Sequence, residues 1–387
     1  MISCKSVYEP QEDSSLLERY VRQYAKGDVL DLGTGSGIQA IAAAQNKNVK
    51  SVLATDVQKE VINYCKKSIK NKKIKFLQSD LFKKVEGKFD VIIFNPPYLP
   101  QELKLKDLTI EGGKRGYEVI ERFLNEANNF LKRDGIILMI FSSLTKKDKV
   151  EEFIKNNLLE FQVLEQLHIF FEDIYVYLLR KNGFLKRLES RLITKIKYFA
   201  KGHRGLLFVG TYKNKKIIIK TKNPQSMAFG RVENEAKWLK RLNKHEIGPK
   251  LILVDDDYFA YHLIEGSFIL DYLKKSNKYN IKKTLKRIFN QLFVLDELKI
   301  DKEEMHHPFK HVIITKTKPF LIDFERANYS LKPKNITQFC QFIVSSKISE
   351  ILKLKKIFLD RNRFLELAKI YKNNQNKTNF KKIKDAI

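Results

Sequence analysis

Asp28-Val29-Leu30-Asp31-Leu32-Gly33-Thr34-Gly35-Ser36-Gly37 is the stretch that decides the fold. Residues 28–33 read as a short buried strand, the glycines as a tight turn, and the Ala-rich run to about residue 46 as a helix. The pattern then repeats. Ser51–Thr55 reads as a second strand ending at Asp56, Val57–Ile69 as a helix, and Ile74–Gln78 as a third strand ending near Asp80. Asp90–Phe94 is a fourth strand, Val119–Leu131 a one-faced helix, and Ile136–Phe141 a fifth strand. Val163–Phe170 and Tyr175–Leu179 supply a final pair. Strands alternating with helices predict an α/β, doubly wound, mostly parallel Rossmann-like sheet, with its ligand at the carboxyl ends of the strands.

The residues at those ends name the ligand. Gly33, Gly35 and Gly37 let the backbone turn sharply and approach a bound molecule. Alone they also fit a dinucleotide site or an ordinary turn. Asp31, Asp56 and Asp80 fall at three consecutive strand ends. Asp56 can take ribose hydroxyls, Asp80 an adenine amine, and Asp31 lies near a cationic amino-acid moiety. A carboxylate at Asp31 would repel a pyrophosphate, whereas S-adenosylmethionine (SAM) has no phosphate and carries a positive sulfonium. The acids therefore favour SAM over a dinucleotide.

Asn95-Pro96-Pro97-Tyr98 follows the fourth strand directly. Two prolines fix the backbone and remove two N–H donors. The Asn95 side-chain oxygen and the local carbonyls can then face a substrate NH2 group. An amide or aromatic amine nitrogen is a weak nucleophile because its lone pair is delocalised. Holding both N–H bonds out of plane favours in-line attack on a sulfonium methyl, by positioning and preorganised dipoles. Tyr98 offers an aromatic face to a planar group. Asn95, Pro96, Pro97 and Tyr98 are the expected catalytic set.

Residues 1 to about 180 resemble the HemK-like methyltransferases, which methylate the glutamine of the GGQ motif in translation release factors. The resemblance is to the short archaeal and eukaryotic type. It rests on Val7-Tyr8-Glu9-Pro10-Gln11-Glu12-Asp13-Ser14, on Asp31 to Gly37, on Asn95 to Tyr98 and on Gly112-Gly113-Lys114-Arg115-Gly116. It implies cofactor contacts from Ser14, Asp31, Gly33, Asp56, Asp80 and Leu81, with Asn95 holding the substrate amide. Ser14 stands where the family usually has Thr. The resemblance also implies a release factor as protein substrate and a small zinc-binding activator subunit as partner. The same four-residue motif serves DNA adenine and some RNA methyltransferases, so nucleic-acid adenine N6 or RNA methylation is the rival reading.

After Lys181 the pattern changes, and residues 183–200 can be drawn as a basic amphipathic helix. Strand-like segments follow at Gly205–Gly210 and Lys215–Lys220, then a helix from about 226 to 243 and strands at Leu251–Val254 and Tyr258–Ile264. From 267 the chain reads as mainly helical, interrupted near 305–325. Two domains are expected, 1–183 and 184–387, the second ending in a flexible basic tail from Asn373 to Lys384.

Residues 200 to 345 resemble the small atypical protein kinases of the RIO and KEOPS-associated type, an α+β fold. Ile217-Ile218-Ile219-Lys220 resembles the strand carrying the phosphate-binding lysine, Glu235 its helical partner, and Ile322-Asp323-Phe324-Glu325 the D-F-G segment. Asp323 would be the Mg²⁺ ligand and Mg-ATP the cofactor. Lys201-Gly202-His203-Arg204-Gly205 stands at the phosphate loop without the G-x-G-x-x-G spacing. Met305 to His311 stands at the catalytic loop, with His306 near the base position and His311 near the metal-binding Asn. Asp301, Glu303 and Glu304 are alternative carboxylates. A pseudokinase half, in a translation-associated scaffold, is a third reading of the whole.

With 43% hydrophobic and 31% charged residues, the chain can build packed cores and is unlike a disordered protein. No apolar run approaches the length of a membrane helix, the first residues carry no signal-peptide pattern, and three scattered cysteines form neither a disulfide framework nor a zinc site. A cytoplasmic setting without membrane contact is expected. The net charge of +29 fits an RNA or ribosome contact through a basic surface, and equally a Lys-rich compositional drift.

Overall fold

The computed structural model describes residues 11–98, 112–169, 171–201, 205–222, 231–316 and 318–387. The expected signature residues Val7–Pro10 and loop residues Gly202–Arg204 lie outside these. The chain forms two compact units, Met1–Tyr198 with Thr211–Lys213, and Phe199–Gly210 with Asn214–Ile387.

In the first unit seven strands form one sheet. They are β1 (Gly27–Leu32), β2 (Val49–Asp56), β3 (Ile74–Gln78), β4 (Phe89–Phe94), β5 (Leu131–Ser142), β6 (Leu159–Ile169) and β7 (Glu172–Lys181), in the order β3-β2-β1-β4-β5-β7-β6. The first five run parallel, while β7 pairs antiparallel to β5 and β6 antiparallel to β7. Period-two alternation gives the sheet two apolar faces. Val29, Val91, Ile93, Leu138 and Ile140 face helices α1 (Glu12–Tyr24) and α2 (Ile38–Gln45). Leu30, Ile92, Phe94, Ile137 and Met139 face Phe123 and Leu124 of a later helix, Glu118–Phe130. The four alanines Ala40, Ala42, Ala43 and Ala44 let α2 lie close on the sheet. The strand order reverses between β1 and β4, so the loops after those two strands open onto one crevice.

Residues 183–200 depart from the expected long helix. Only Gly183–Ser190 is helical, and Thr194–Lys201 is a strand. Ile196 is buried and Tyr198 and Ala200 half-buried, while Lys197 and Phe199 are exposed, which is the two-residue period of a strand. Residues 183–198 are tied into the first unit: Lys186 pairs with Asp134 at 2.8 Å, and the Asn128 amide donates to the Ile196 carbonyl at 3.2 Å. Residues 183–198 therefore group with the first unit.

In the second unit Lys215–Lys222 pairs antiparallel with Tyr258–His262. Helix Arg231–Leu242 packs through Trp238, Leu239 and Leu242 into a core shared with the long helix Lys278–Glu297. The tail is a second departure: Lys377–Asp385 is a helix, with Ile383 buried and the Phe380 ring stacked on Phe293 at 4.3 Å. Two apolar residues three apart seat it, despite its lysines.

Candidate active site

A cavity of about 560 Å³ lies at the carboxyl ends of β1 to β4. Its wall includes Ser14 of α1, Gly33 and Gly35 after β1, Asp56 at the end of β2, Asp80 and Leu81 after β3, and Asn95 to Tyr98 after β4. Residues spread over 85 positions thus meet because the sheet brings its strand ends side by side.

The loop after β1 is clamped from behind. Gly35 N–H donates to Asp56 Oδ2 at 3.2 Å, Thr34 N–H to the Thr55 carbonyl at 2.8 Å, and Cys65 Sγ to the Gly35 carbonyl at 3.3 Å. Gly37 sits at φ +86°, and a Cβ there would come within 2.4 Å of Ile69 Cδ1. A Cβ on Gly33 would lie 3.9 Å from the Asn95 carbonyl, so the loops after β1 and β4 nearly touch across the crevice. A Cβ on Gly112 would strike the Pro97 carbonyl at 2.7 Å, which sets the Gly112–Gly116 loop directly against the Asn95–Tyr98 segment.

The expected acids divide into two kinds. Asp56 lines the cavity, buried, and accepts from Gln58 N–H at 2.9 Å; burial pushes its carboxyl up. Asp80 also lines it, half-exposed, with Lys83 at 2.7 Å and Arg122 at 2.8 Å holding it below the usual carboxylate range. Asp31 and Gly37 are not on the cavity wall. Asp31 is fully buried behind the Gly-rich loop, accepts from Thr34 Oγ1 at 2.6 Å, and is pushed up to about 7 by burial.

Asn95 Nδ2 donates to Asp13 Oδ2 at 3.2 Å and faces Ser14 Oγ at 3.4 Å, and Tyr98 OH donates to Asp13 Oδ2 at 3.2 Å. Asp13, Asp56, Asp80 and Glu172 line the cavity against one cationic side chain, Arg122, among the described residues. In a chain of net charge +29 this local inversion favours a cationic ligand and opposes a polyanion. The volume, the acids and the glycine turn fit SAM.

The family model described as the methyltransferase small domain matches residues 8–171. A Methanocaldococcus jannaschii protein, named provisionally as a protein N5-glutamine methyltransferase, is 37% identical over 177 residues, covering 44% of this chain and 89% of that one. The chain belongs to the HemK-like methyltransferases. The release factor glutamine methyltransferase of Streptococcus pneumoniae is 31% identical over 123 residues, 29% of this chain and 44% of that protein. The chain thus spans less than half the length of that bacterial relative. The solved Mtq2–Trm112 complex of E. cuniculi, described as methylating the translation termination factor eRF1, has 25% identity and a TM-score of 0.38 over 46% of this chain and 99% of that one. As a HemK-like protein the chain is a SAM-dependent methyltransferase, with the first unit carrying the activity.

Sequence reading missed helix α1, which places Asp13 and Ser14 on the HemK-like cavity wall. Leu16, Leu17, Tyr20, Val21 and Tyr24 recur at helical spacing and would have shown it.

In the second unit Lys220 Nζ meets Glu235 Oε2 at 2.6 Å, and Asp323 Oδ1 and Glu325 Oε2 at 3.6 Å each. Burial alone would lower the Lys220 ammonium's pKa, but Glu235 and Asp323 outweigh it and hold it above its usual value. Burial pushes the Glu235 carboxyl up, with Lys220 pulling against it. Glu235, Asp323 and Glu325 lie close enough to share a metal ion. His311 is brought to this cluster, with Nδ1 3.9 Å from Asp323 Oδ2 and Nε2 3.2 Å from Glu304 Oε2. His306 is not: it is exposed and packs edge-on to His307. Asp301 caps backbone N–H groups of Glu303 and Lys334, leaving Glu304 as the alternative carboxylate nearest the cluster. The sequence also gave no sign of Lys302, fully enclosed, whose Nζ donates to the Asp323 carbonyl at 2.8 Å and is pushed down to about 8 by burial.

Proposed function

We propose that the first unit transfers the methyl group of SAM to a glutamine side-chain amide in the GGQ loop of a translation release factor. The observation that carries this reading is the Asn95–Tyr98 segment, on an acid-lined cavity at the switch point of the sheet. Asn95 presents a side-chain carbonyl and Pro96 and Pro97 a backbone without N–H groups, the acceptors a substrate NH2 needs. The names of the relatives supply the substrate class. Ser14, Gly33, Gly35, Asp56, Asp80 and Leu81 would hold the cofactor, with Asp31 and Gly37 shaping the loop from behind. Four carboxylates lining the cavity disfavour a nucleic-acid backbone, the rival substrate. A small zinc-binding activator subunit belongs to the same reading through the motif resemblance. Asn95→Ala is expected to lower turnover at least a hundredfold with SAM affinity kept within about twofold. Unchanged turnover, measured by labelled methyl transfer with SAM affinity from calorimetry, refutes the role.

A second reading concerns the second unit. It is a kinase-like nucleotide-binding module, supported by the Lys220–Glu235 ion pair with Asp323 beside it. Lys220 would meet phosphate oxygens, and Asp323 with Glu325 or His311 a divalent cation. Mg-ATP binding by the wild type and its loss in Asp323→Asn tests it; equal binding by both removes Asp323 from the site.

A further inference from the structure

We propose that Asp13 is a positioning residue for methyl transfer, acting through Asn95 and Tyr98; this rests on the reading of Asn95 as the holder of the acceptor amide. Asp13 is buried in the first turn of α1, with 6% exposure, and lines the cavity. Its Oδ1 accepts from the Ser14 N–H at 2.6 Å, and its Oδ2 accepts from Asn95 Nδ2 and from Tyr98 OH, each at 3.2 Å. One carboxylate oxygen therefore ties together two side chains of the catalytic segment, more than 80 residues away in sequence.

The polarity of that contact matters. An ionised carboxylate only accepts hydrogen bonds. The Asn95 amide must turn its NH2 end toward Asp13, which leaves its carbonyl end for an incoming N–H. Ser14 Oγ, 3.4 Å from the same nitrogen, can donate or accept and so imposes no orientation. Tyr98 is held as a donor by the same oxygen, which fixes the direction of its ring. The support is itself anchored: the buried Gln39 side chain donates to the Ser14 carbonyl at 2.8 Å. Asp13 thus presets the acceptor geometry through the two side chains that donate to its Oδ2.

Asp13→Asn keeps the shape and loses the polarity, because its amide can donate to Asn95 as well as accept from it. Turnover on an archaeal-type release factor with an intact GGQ loop is expected to fall about ten- to a hundredfold, with calorimetric SAM affinity and melting temperature unchanged. A loss of SAM affinity as large as the loss of turnover overturns the proposal, since Asp13 would then be a cofactor ligand or a structural prop. Turnover within twofold of wild type, beside an inactive Asn95→Ala, sinks the role of Asp13 alone. Retained turnover in Asn95→Ala sinks the reading of Asn95 and this inference with it. A substrate-independent readout is the ¹⁵N side-chain amide of Asn95 in the full chain, assigned by its disappearance in Asn95→Ala. It should exchange its protons at least tenfold faster in Asp13→Asn. Equal exchange in the two proteins contradicts the proposal.

Discussion

Removing the ammonium of Lys220 with Lys220→Met strands a buried carboxylate, and the structure fixes the size of the effect. The Glu235 side chain is 3% exposed and that of Lys220 13%, and Lys220 is the cation at 2.6 Å from Glu235. Breaking one side of such a pair costs about 3–5 kcal/mol, whereas replacing both sides with apolar or neutral groups is close to neutral. Lys220→Met should therefore destabilise the second unit by about 3–5 kcal/mol, and adding Glu235→Gln should restore part of it, since Asp323 and Glu325 at 3.6 Å lose the same cation. The assay is built into the chain. Its single tryptophan, Trp238, lies in the second unit, buried and donating to the Ala327 carbonyl at 2.7 Å, so its fluorescence in urea follows that unit. The sign with pH also follows. Burial raises Glu235, so once Lys220 is gone the folded state takes up a proton there more readily than the unfolded chain. The deficit should then shrink as the pH is lowered. A Lys220→Met midpoint equal to wild type, or a double variant no better than the single, refutes the buried-pair account.

Two further outcomes follow from the first unit. Asp31 is pushed up to about 7 by burial, against about 3.9 for an exposed aspartate. Ionising it therefore costs folding stability as pH rises from about 4 to about 7, after which the loss is constant. A cation bound at the glycine loop favours the ionised form, so SAM affinity should rise with pH up to about 7, by at most about tenfold per unit, and then level. Calorimetry at pH 5.5 to 8 checks this, with Asp31→Asn as the flat control, and a pH-independent wild type rejects it. Gly37→Ala puts a Cβ at φ +86° and 2.4 Å from Ile69 Cδ1. At about 1–2 kcal/mol for the left-handed backbone alone, the variant should be destabilised by at least that much, and an unaltered melting temperature would show that the loop tolerates the side chain.

The parallel sheet was legible because its strands carry long apolar runs ending in Asp or Asn, and strand ends are where ligands must lie. Asp56, Asp80 and Asn95 stand at strand ends for that reason, and all three line the cavity. Asp31 stood out by the same pattern, yet its register within β1 puts it behind the loop and off the cavity wall, which spacing alone does not reveal. Asp13 was quoted within a signature, but its bond to Asn95 spans 82 residues and exists only once α1 packs on the sheet. The helix expected over 183–200 holds only to Ser190, because a basic strand with alternating burial can also be wrapped onto a helical wheel. Lys302 was invisible among 74 lysines and arginines, since nothing but the fold marks one of them as enclosed.

The central claim is methyl transfer to a glutamine amide. Methyl-labelled SAM and the purified chain would be offered an archaeal-type release factor with an intact GGQ loop, the same factor with that Gln changed, and separate DNA and RNA pools, each with and without a candidate activator subunit. The account predicts label on the intact factor alone. Label on nucleic acid alone, or equal label on the Gln-changed factor, would contradict it.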